Sequence, residues 1–417
     1  MRRVTILLAA TTLATFGITG VGAFATTSAD TRADDDRSAR KPTPAASTTA
    51  QGEFMLEKSV DNPVVADLDE TLPGVSIADV VADGNREGSS CSPDVDNFTE
   101  GFCWNAGDND TTSWYTQGTT TTEDADPSGS FEDVTALGVT WYDSADDGID
   151  KGARISFVDW SDPSAPNYRH VLFVEPCVDD GGDGEHSCSE TVNGDGEPNY
   201  QPVNVHAGGV VWRGPYLYLA DTSNGFRVFD LRHLWQVSTG NNDIAGLQPD
   251  GSYHAFDYKY VVPQVFSYQQ STDGADPLRF SFAGGDRTSD PDSIVAGEYD
   301  ADGTGTRLVR YPLDESSNLF SESSDGLVHA SEAHTVDVQS MQGVVSIDGR
   351  FFISSSAGSS TRGNLVTLEP GGSPEWNEGV YPPGPEDFAY ESDGDQIWTN
   401  TEYPGGRAVF AFDASAY

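Results

Sequence analysis

VNVHAGGVVWRGPYLYLAD, residues 203–221, places an apolar run, a Gly-containing turn and a second apolar run behind a histidine and three small residues. Val, Trp, Tyr and Leu on either side of Arg213-Gly214-Pro215 suit a pleated, half-buried surface, so the stretch reads as a β-hairpin. The same order returns twice. SMQGVVSIDGRFFISS (340–355) and GPEDFAYESDGDQIWTN (384–400) align with HAGGVVWRGPYLYLAD (206–221). Each has a short polar start, an apolar strand, a tight turn, and a strand of aromatic and β-branched residues.

A third strand follows each hairpin: GFRVFDL (225–231), GNLVTLEP (363–370) and GRAVFAFD (406–413). A fourth, such as YKYVVPQVFSY (258–268), follows the first of these. Two further units repeat the plan less cleanly. One runs through TQGTTTT (116–122), VTALGVTWYD (134–143), RISFVDW (154–160) and YRHVLFVEP (168–176). The other runs through LRFSFAGGDR (278–287), SIVAGEYD (293–300) and RLVRYPLD (307–314).

Five units of three or four antiparallel strands predict an all-β chain folded as a β-propeller, with five four-stranded blades. The loops leave room for six or seven, and a β-sandwich is the alternative fold. The last unit lacks its fourth strand, and GEFMLEKSV (52–60) is the N-terminal segment expected to close the ring.

Ahead of the repeats stand Arg2 and Arg3, an apolar run from Val4 to Gly22, and Ala23-Phe24-Ala25. That order is the layout of a secretory signal peptide over residues 1–25. Residues 26–51 carry too little apolar content to offset their ordering entropy and read as a disordered linker, leaving 52–417 as the propeller domain. No later segment is apolar enough to span a bilayer. Export suits the cysteines, which fall in two close pairs expected as local disulfides, Cys91 with Cys103 and Cys177 with Cys188.

The formal net charge of −45 excludes nucleic acid and anionic membrane surfaces as partners, since both would be repelled. An extracellular glycan and a monomeric state are the expectations that remain.

In a propeller the first strand of each blade lines a central channel, and its opening residues face one mouth. The strand starts are Gln117, His206, Arg279, Gln342, and Glu386 with Asp387. Neighbouring turns bring Tyr142, Asp143 and Lys151; Asp221; Glu298; Arg362; and Glu402, Tyr403 and Arg407. Aromatic faces stack on sugar rings while carboxylates, amides and guanidinium forks bond hydroxyls, so this composition suits a glycan.

Glycoside hydrolysis needs two carboxyls across the scissile bond. Glu386, Asp387 and Glu402 are the candidates, with Asp221 or Asp143 opposite. Elimination instead needs a base such as His206 or Tyr403 and a cation, such as Arg279, on the substrate carboxylate. Gln117, Tyr142, Asp221, Arg279, Gln342, Tyr403 and Arg407 are the candidates for substrate binding. The plainer readings are structural: Gln117 and Gln342 bonding neighbouring strands, Glu386-Asp387 capping a turn, and His170 and His334 serving packing.

DDGGDGEHSCSE (179–190) places Asp179, Asp183 and Glu190 at three ligand positions of an EF-hand-like loop, which makes calcium the one cofactor in view. Gly181 at the third position and the absence of flanking helix signals weaken the match. There is no G-x-S-x-G elbow, Walker loop, HExxH or dinucleotide fingerprint.

YRHVLFVEP, VHAGGVVWRGPYLYLADTSNGFRVFD and QGVVSIDGRFFISS resemble motifs of a group of secreted actinobacterial β-propeller proteins over about Trp114 to Asp413. The resemblance implies secretion and the propeller, and carries no catalytic residues with it. More distantly the architecture is similar to carbohydrate-active propellers, the arabinanases and polysaccharide lyases. That implies a hydrolase or lyase, against the alternative of a non-catalytic lectin or protein scaffold.

Overall fold

The computed structural model describes the strand Ser47–Thr48 and residues 51–417, apart from Asp147, Asp183, Glu185, Glu190 and Thr191. The leader expected at residues 1–25 lies outside the described residues, as does the expected linker except for Ser47, Thr48 and Gln51. Ser47 and Thr48 pair antiparallel with Thr335 and His334. A free strand edge accepts any extended backbone, which composition does not register.

The repeat units fold as the blades of a β-propeller, each traceable as a run of four antiparallel strands, with the first two runs joined into one sheet by parallel pairing of Leu172–Val174 with Val261–Pro263. The first contains Trp114–Thr121, Ala136–Asp143, Ala153–Asp159 and Asn167–Asp179. The second contains Val210–Arg213, Tyr216–Asp221, Gly225–Asp230 and Tyr260–Thr272. Phe282–Asp286, Ser293–Gly297, Arg307–Asp314 and Glu332–Thr335 form the third. Met341–Ile347, Arg350–Ser355, Gly363–Leu368 and Glu375–Tyr381 form the fourth. The fifth takes Ala389–Glu391, Gln396–Asn400 and Ala408–Asp413 from the end of the chain and Phe98–Cys103 from its N-terminal part.

Phe98–Cys103 therefore closes the ring, in place of the expected 52–60 segment. Gly101 lies opposite Phe410, where a Cβ would strike the Val409 and Phe410 backbone, and the Cys91–Cys103 disulfide ties down the end of the strand. GEFMLEKSV offers no such gap. Its Phe54–Lys58 portion instead pairs with Tyr268–Thr272 at the edge of the second blade and with Leu327–His329. Both expected disulfides, Cys91–Cys103 and Cys177–Cys188, are formed. No helix among the described residues is long and apolar enough to cross a membrane.

Inner strands of successive blades approach at glycines. A Cβ on Gly118, Gly209, Gly284 or Gly343 would run into Val210, Ala283, Val344 or Asp387 of the next blade. Only glycine permits that spacing. Between the fifth blade and the first, the Asn400 side-chain amide donates to Gln117 O (2.6 Å) and Thr119 Oγ1 (2.8 Å).

Farther out, apolar faces fill the gaps between blades. Phe157 and Trp212 join the first pair, Val344 and Leu308 the third and fourth, and Phe352 and Phe410 the last two. Each such side chain contributes about 1.5–3 kcal/mol on burial.

A polar chain crosses the first blade inside this apolar packing. Trp141 Nε1 donates to Ser156 Oγ (2.7 Å), which lies 2.8 Å from His170 Nδ1; His170 Nε2 is 3.1 Å from Asp108 Oδ1. Tyr168 donates to the other Asp108 oxygen (2.6 Å), and Arg154 and Arg86 flank the carboxylate. Burial, then the charge of Arg154, brings the His170 pKa down to about 3, so the ring is neutral. Burial works to raise the Asp108 carboxyl, but His170, Arg154 and Tyr168 more than offset it and hold it well below the carboxylate range. His170, expected to be structural, is buried and held by these two contacts.

Candidate functional site

His206 enters the ring from residues 203–209, where Ala207, Gly208 and Gly209 press against the neighbouring blade and leave the imidazole facing outward. Around it opens a cavity of about 320 Å³ lined by Gln117, His206, Thr222, Arg279, Ser281, Tyr299 and Gln342. Four of these were singled out as strand starts: Gln117, His206, Arg279 and Gln342. A smaller cavity of about 190 Å³ shares Arg279 and Tyr299 and runs outward along the third blade.

Carboxyls stand one residue behind the lining. Gln117 Nε2 donates to Thr116 O (2.8 Å) and to Glu402 Oε1 (3.4 Å), and Gln342 Nε2 donates to Glu386 Oε1 (3.4 Å). The two glutamines thus bond neighbouring strands and line the cavity at once. Tyr142 stacks on His206 with ring centroids 4.3 Å apart, and Tyr115 stacks on Tyr142 at 5.5 Å.

The electrostatics follow from crowding carboxyls in a dry channel. Burial first, then Glu402 and Asp387, pushes the Glu386 carboxyl well above its ordinary range. Glu402 is raised by burial, with relief from Tyr403, Arg407 and Gln117. Tyr142 and Tyr403 are raised by burial and then by the glutamates. His206 keeps an exposed edge in the cavity while neighbouring atoms crowd its other side, and that partial desolvation lowers its pKa. The mouth therefore presents an imidazole, amides, hydroxyls and the Arg279 guanidinium, with carboxyls behind them whose proton affinity burial has raised.

Asp387 lies deeper, fully buried, at the repeat position held by Gly209 and Gly343. Its Oδ2 accepts the Val210 amide at 3.2 Å, which links the fifth blade to the second across the channel. Its Oδ1 has no hydrogen-bond partner among the described residues, and neither has Asn400 Oδ1. Burial holds the carboxyl well above its usual range despite the backbone amides around it. Asp124, beyond it, is pushed by burial up to about 6.

Other expected residues are engaged elsewhere. Arg407, expected to bind substrate, donates instead to the carbonyls of Glu402, Asp108, Thr111 and Trp114 and is buried. Asp221, expected opposite the glutamates, pairs with Arg227 (2.9 Å) and Asn224 (3.0 Å) and lines a separate cavity with Glu175 and Gln264. In both cases a nearby partner inside the fold claims the group before the mouth can.

Arg362 pairs with Asp94 and Asp96. Asp179 accepts the amides of Val192, Asn193 and Gly194, whereas Asp183 and Glu190 lie outside the described residues. No group of three or more metal-ligating side chains occurs among the described residues.

The sequence reading missed Thr222, Ser281 and Tyr299. Tyr299 follows the second strand of its blade as Tyr142 ends the second strand of the first, so the repeat held the signal. A larger cavity of about 570 Å³ lies between residues 188–204 and the 244–256 region. Among the described residues its charged lining is Asp150 and Asp243. A cavity of about 170 Å³ beside the first blade also gathers cationic, imidazole and amide groups, from Arg86, Arg169, Lys259, His170 and Asn85, whereas the mouth draws its groups from the inner strands of four blades.

No family model matches the chain, and no curated protein matches it. Solved structures similar to it include the GH43_1 enzyme from Xanthomonas citri complexed with xylotriose, at 12% identity over 84% of this chain and 92% of that one, TM-score 0.33. Pseudomonas fluorescens PhoX in complex with vanadate matches at 10% identity over 90% and 98%, TM-score 0.35. Kuenenia stuttgartiensis hydrazine synthase matches at 10% identity over 68% and 72%, TM-score 0.30. The fold assignment stands on the strand pairing given above.

Proposed function

We propose that the chain is an extracellular β-propeller that binds a glycan at the channel mouth. The observation that carries this reading is the cavity itself. Amides, an imidazole, a guanidinium and a tyrosine reach it from four different blades: one glutamine each from the first and fourth, His206 and Thr222 from the second, and Arg279, Ser281 and Tyr299 from the third. Its volume suits a few sugar units, and its polar groups suit hydroxyls. Two disulfides suit an oxidising, extracellular location.

Cleavage is the second reading, and one observation favours it. Glu386 is pushed well above the ordinary carboxyl range, first by burial and then by Glu402, which suits a general acid, while Glu402 is raised by burial but relieved by Tyr403, Arg407 and Gln117, which makes it the better base. Gln342 and Gln117 stand between these carboxyls and the cavity, so cleavage needs one of the two amides to turn aside as the sugar enters.

Native electrophoresis through gels cast with plant and microbial polysaccharides tests binding, with reducing-end assays and absorbance of unsaturated uronates run in parallel. Retardation by at least one glycan, relieved by its oligosaccharides, is the expected result. New reducing ends alone select hydrolysis, unsaturated products select elimination, and retardation without products selects a lectin. Neither retardation nor product with any glycan defeats the proposal.

A further inference from the structure

Arg279 has no ionic partner among the described residues, in a chain with 67 acidic and 22 basic residues. Among the described residues every other arginine is engaged, with a carboxylate within 4 Å or, for Arg407, with backbone carbonyls. With acidic groups in threefold excess, a solvated arginine is the exception and calls for a local cause.

That cause is visible at Glu298. Its carboxylate accepts the Arg279 backbone amide (3.0 Å) and is gripped by the Arg307 fork, Nε to Oε2 at 2.7 Å and Nη2 to Oε1 at 2.6 Å. Arg307 is itself fastened to the carbonyls of Asp276 and Pro277. The carboxylate that accepts the Arg279 amide is thus turned to another cation, and the Arg279 side chain borders both the 320 Å³ cavity and its 190 Å³ extension, which Tyr299 and Asp300 also line.

A free guanidinium fork binds oxyanions by paired, charge-assisted hydrogen bonds, and a tyrosine beside it supplies a face for a sugar ring. We infer that the ligand of the mouth is an acidic glycan, whose anionic group is taken by Arg279 while Tyr299 lies against the sugar that bears it. This rests on the glycan reading above and narrows it to one substrate class. The anion is a uronate carboxylate or a sulfate ester. The net charge of −45 repels a densely charged polymer, so the anionic groups are spaced along a mostly neutral backbone.

Calorimetric titration of the wild-type chain near physiological salt tests this with four probes. They are a trisaccharide whose one charged unit is a glucuronate, the same compound with its carboxyl reduced to the alcohol, a sulfate-ester counterpart, and a fully charged oligogalacturonate. The glucuronate or the sulfate compound should bind at least ten-fold more tightly than the reduced form, and whichever wins identifies the anion. Arg279→Gln should remove that advantage while leaving the reduced compound within two-fold, and Arg279→Lys should restore part of it. The oligogalacturonate should bind more weakly than the singly charged winner.

Equal affinity for the charged and reduced compounds overturns the inference, as does an Arg279→Gln variant that weakens both alike. Failure to bind any of the four, while gels show retention by another neutral glycan, also overturns it and leaves the binding proposal standing. Binding to no glycan at all removes both.

Discussion

Asp108 and Asp387 are two aspartates buried in the same ring, and their surroundings differ in kind. Asp108 receives bonds from Tyr168, Arg154 and His170 and has Arg86 alongside, so its charge is fully answered. Asp387 accepts one hydrogen bond, from the Val210 amide at 3.2 Å, and its other oxygen has no hydrogen-bond partner among the described residues, with only the Phe388 and Thr119 amides near the carboxyl besides. The first pattern ties the outer strands of one blade together. The second belongs to a channel in which Glu386, Glu402 and Asp124 are also raised by burial. Satisfied buried polar groups hold a fold, whereas under-satisfied ones mark places where other demands compete with stability.

The largest effect should come from breaking the satisfied side. Asp108→Ala leaves Arg154 and Arg86 without their shared carboxylate and His170 without an acceptor, which costs about 3–5 kcal/mol. Urea unfolding measures it, and a loss below about 1 kcal/mol would show that the network contributes nothing special.

The two regions should also respond to pH in opposite directions. Asp124 titrates near 6 in the folded chain against an ordinary 3.8. Its contribution is complete below 3.8 and is lost as pH rises through 6. His170 is brought down to about 3 from 6.5, so its contribution is complete above 6.5 and is lost as pH falls toward 3. Asp124→Asn should therefore make stability at pH 7, relative to pH 4, about 3 kcal/mol more favourable than in the wild type and leave the acid limb in place. Parallel pH–stability curves for variant and wild type would break the contrast.

Smaller changes sharpen it. Gly343→Ala sets a methyl against the Asp387 backbone and should cost about 1–3 kcal/mol by thermal unfolding. A neutral outcome there would mean that the inner strands are not held at glycine distance. Glu386→Gln replaces a carboxyl that already favours its proton with a neutral isostere, so stability should move by less than about 1 kcal/mol. If the chain cleaves its glycan, that same change should lower the rate by at least about 100-fold with binding retained.

Much of this was legible in the sequence because repeats expose strand order. The hairpin at 203–221 and its counterparts at 340–355 and 384–400 fall on consecutive strands as the alternation required. Gln117, His206, Arg279 and Gln342 converge because equivalent strand starts must share one mouth. What stayed hidden depended on partners far apart in the chain. FTEGFC and GEFMLEKSV offer similar strand patterns, and only the gap at Gly101 and the Cys91–Cys103 bond distinguish the closing strand. Arg407 looks like any mouth arginine until four carbonyls from residues 108–114 and 402 surround it. Tyr299 was passed over in favour of its neighbour Glu298, whose carboxylate Arg307 takes.

His206 offers the most direct test that the mouth is a binding site rather than one more strand start. Titrating the wild type and His206→Ala with an oligosaccharide that the wild type retains, alongside urea unfolding of both, separates the two roles. Binding at least ten-fold weaker, with stability changed by less than about 0.5 kcal/mol, is the predicted result. Unchanged affinity, or affinity and stability lost together, would contradict it.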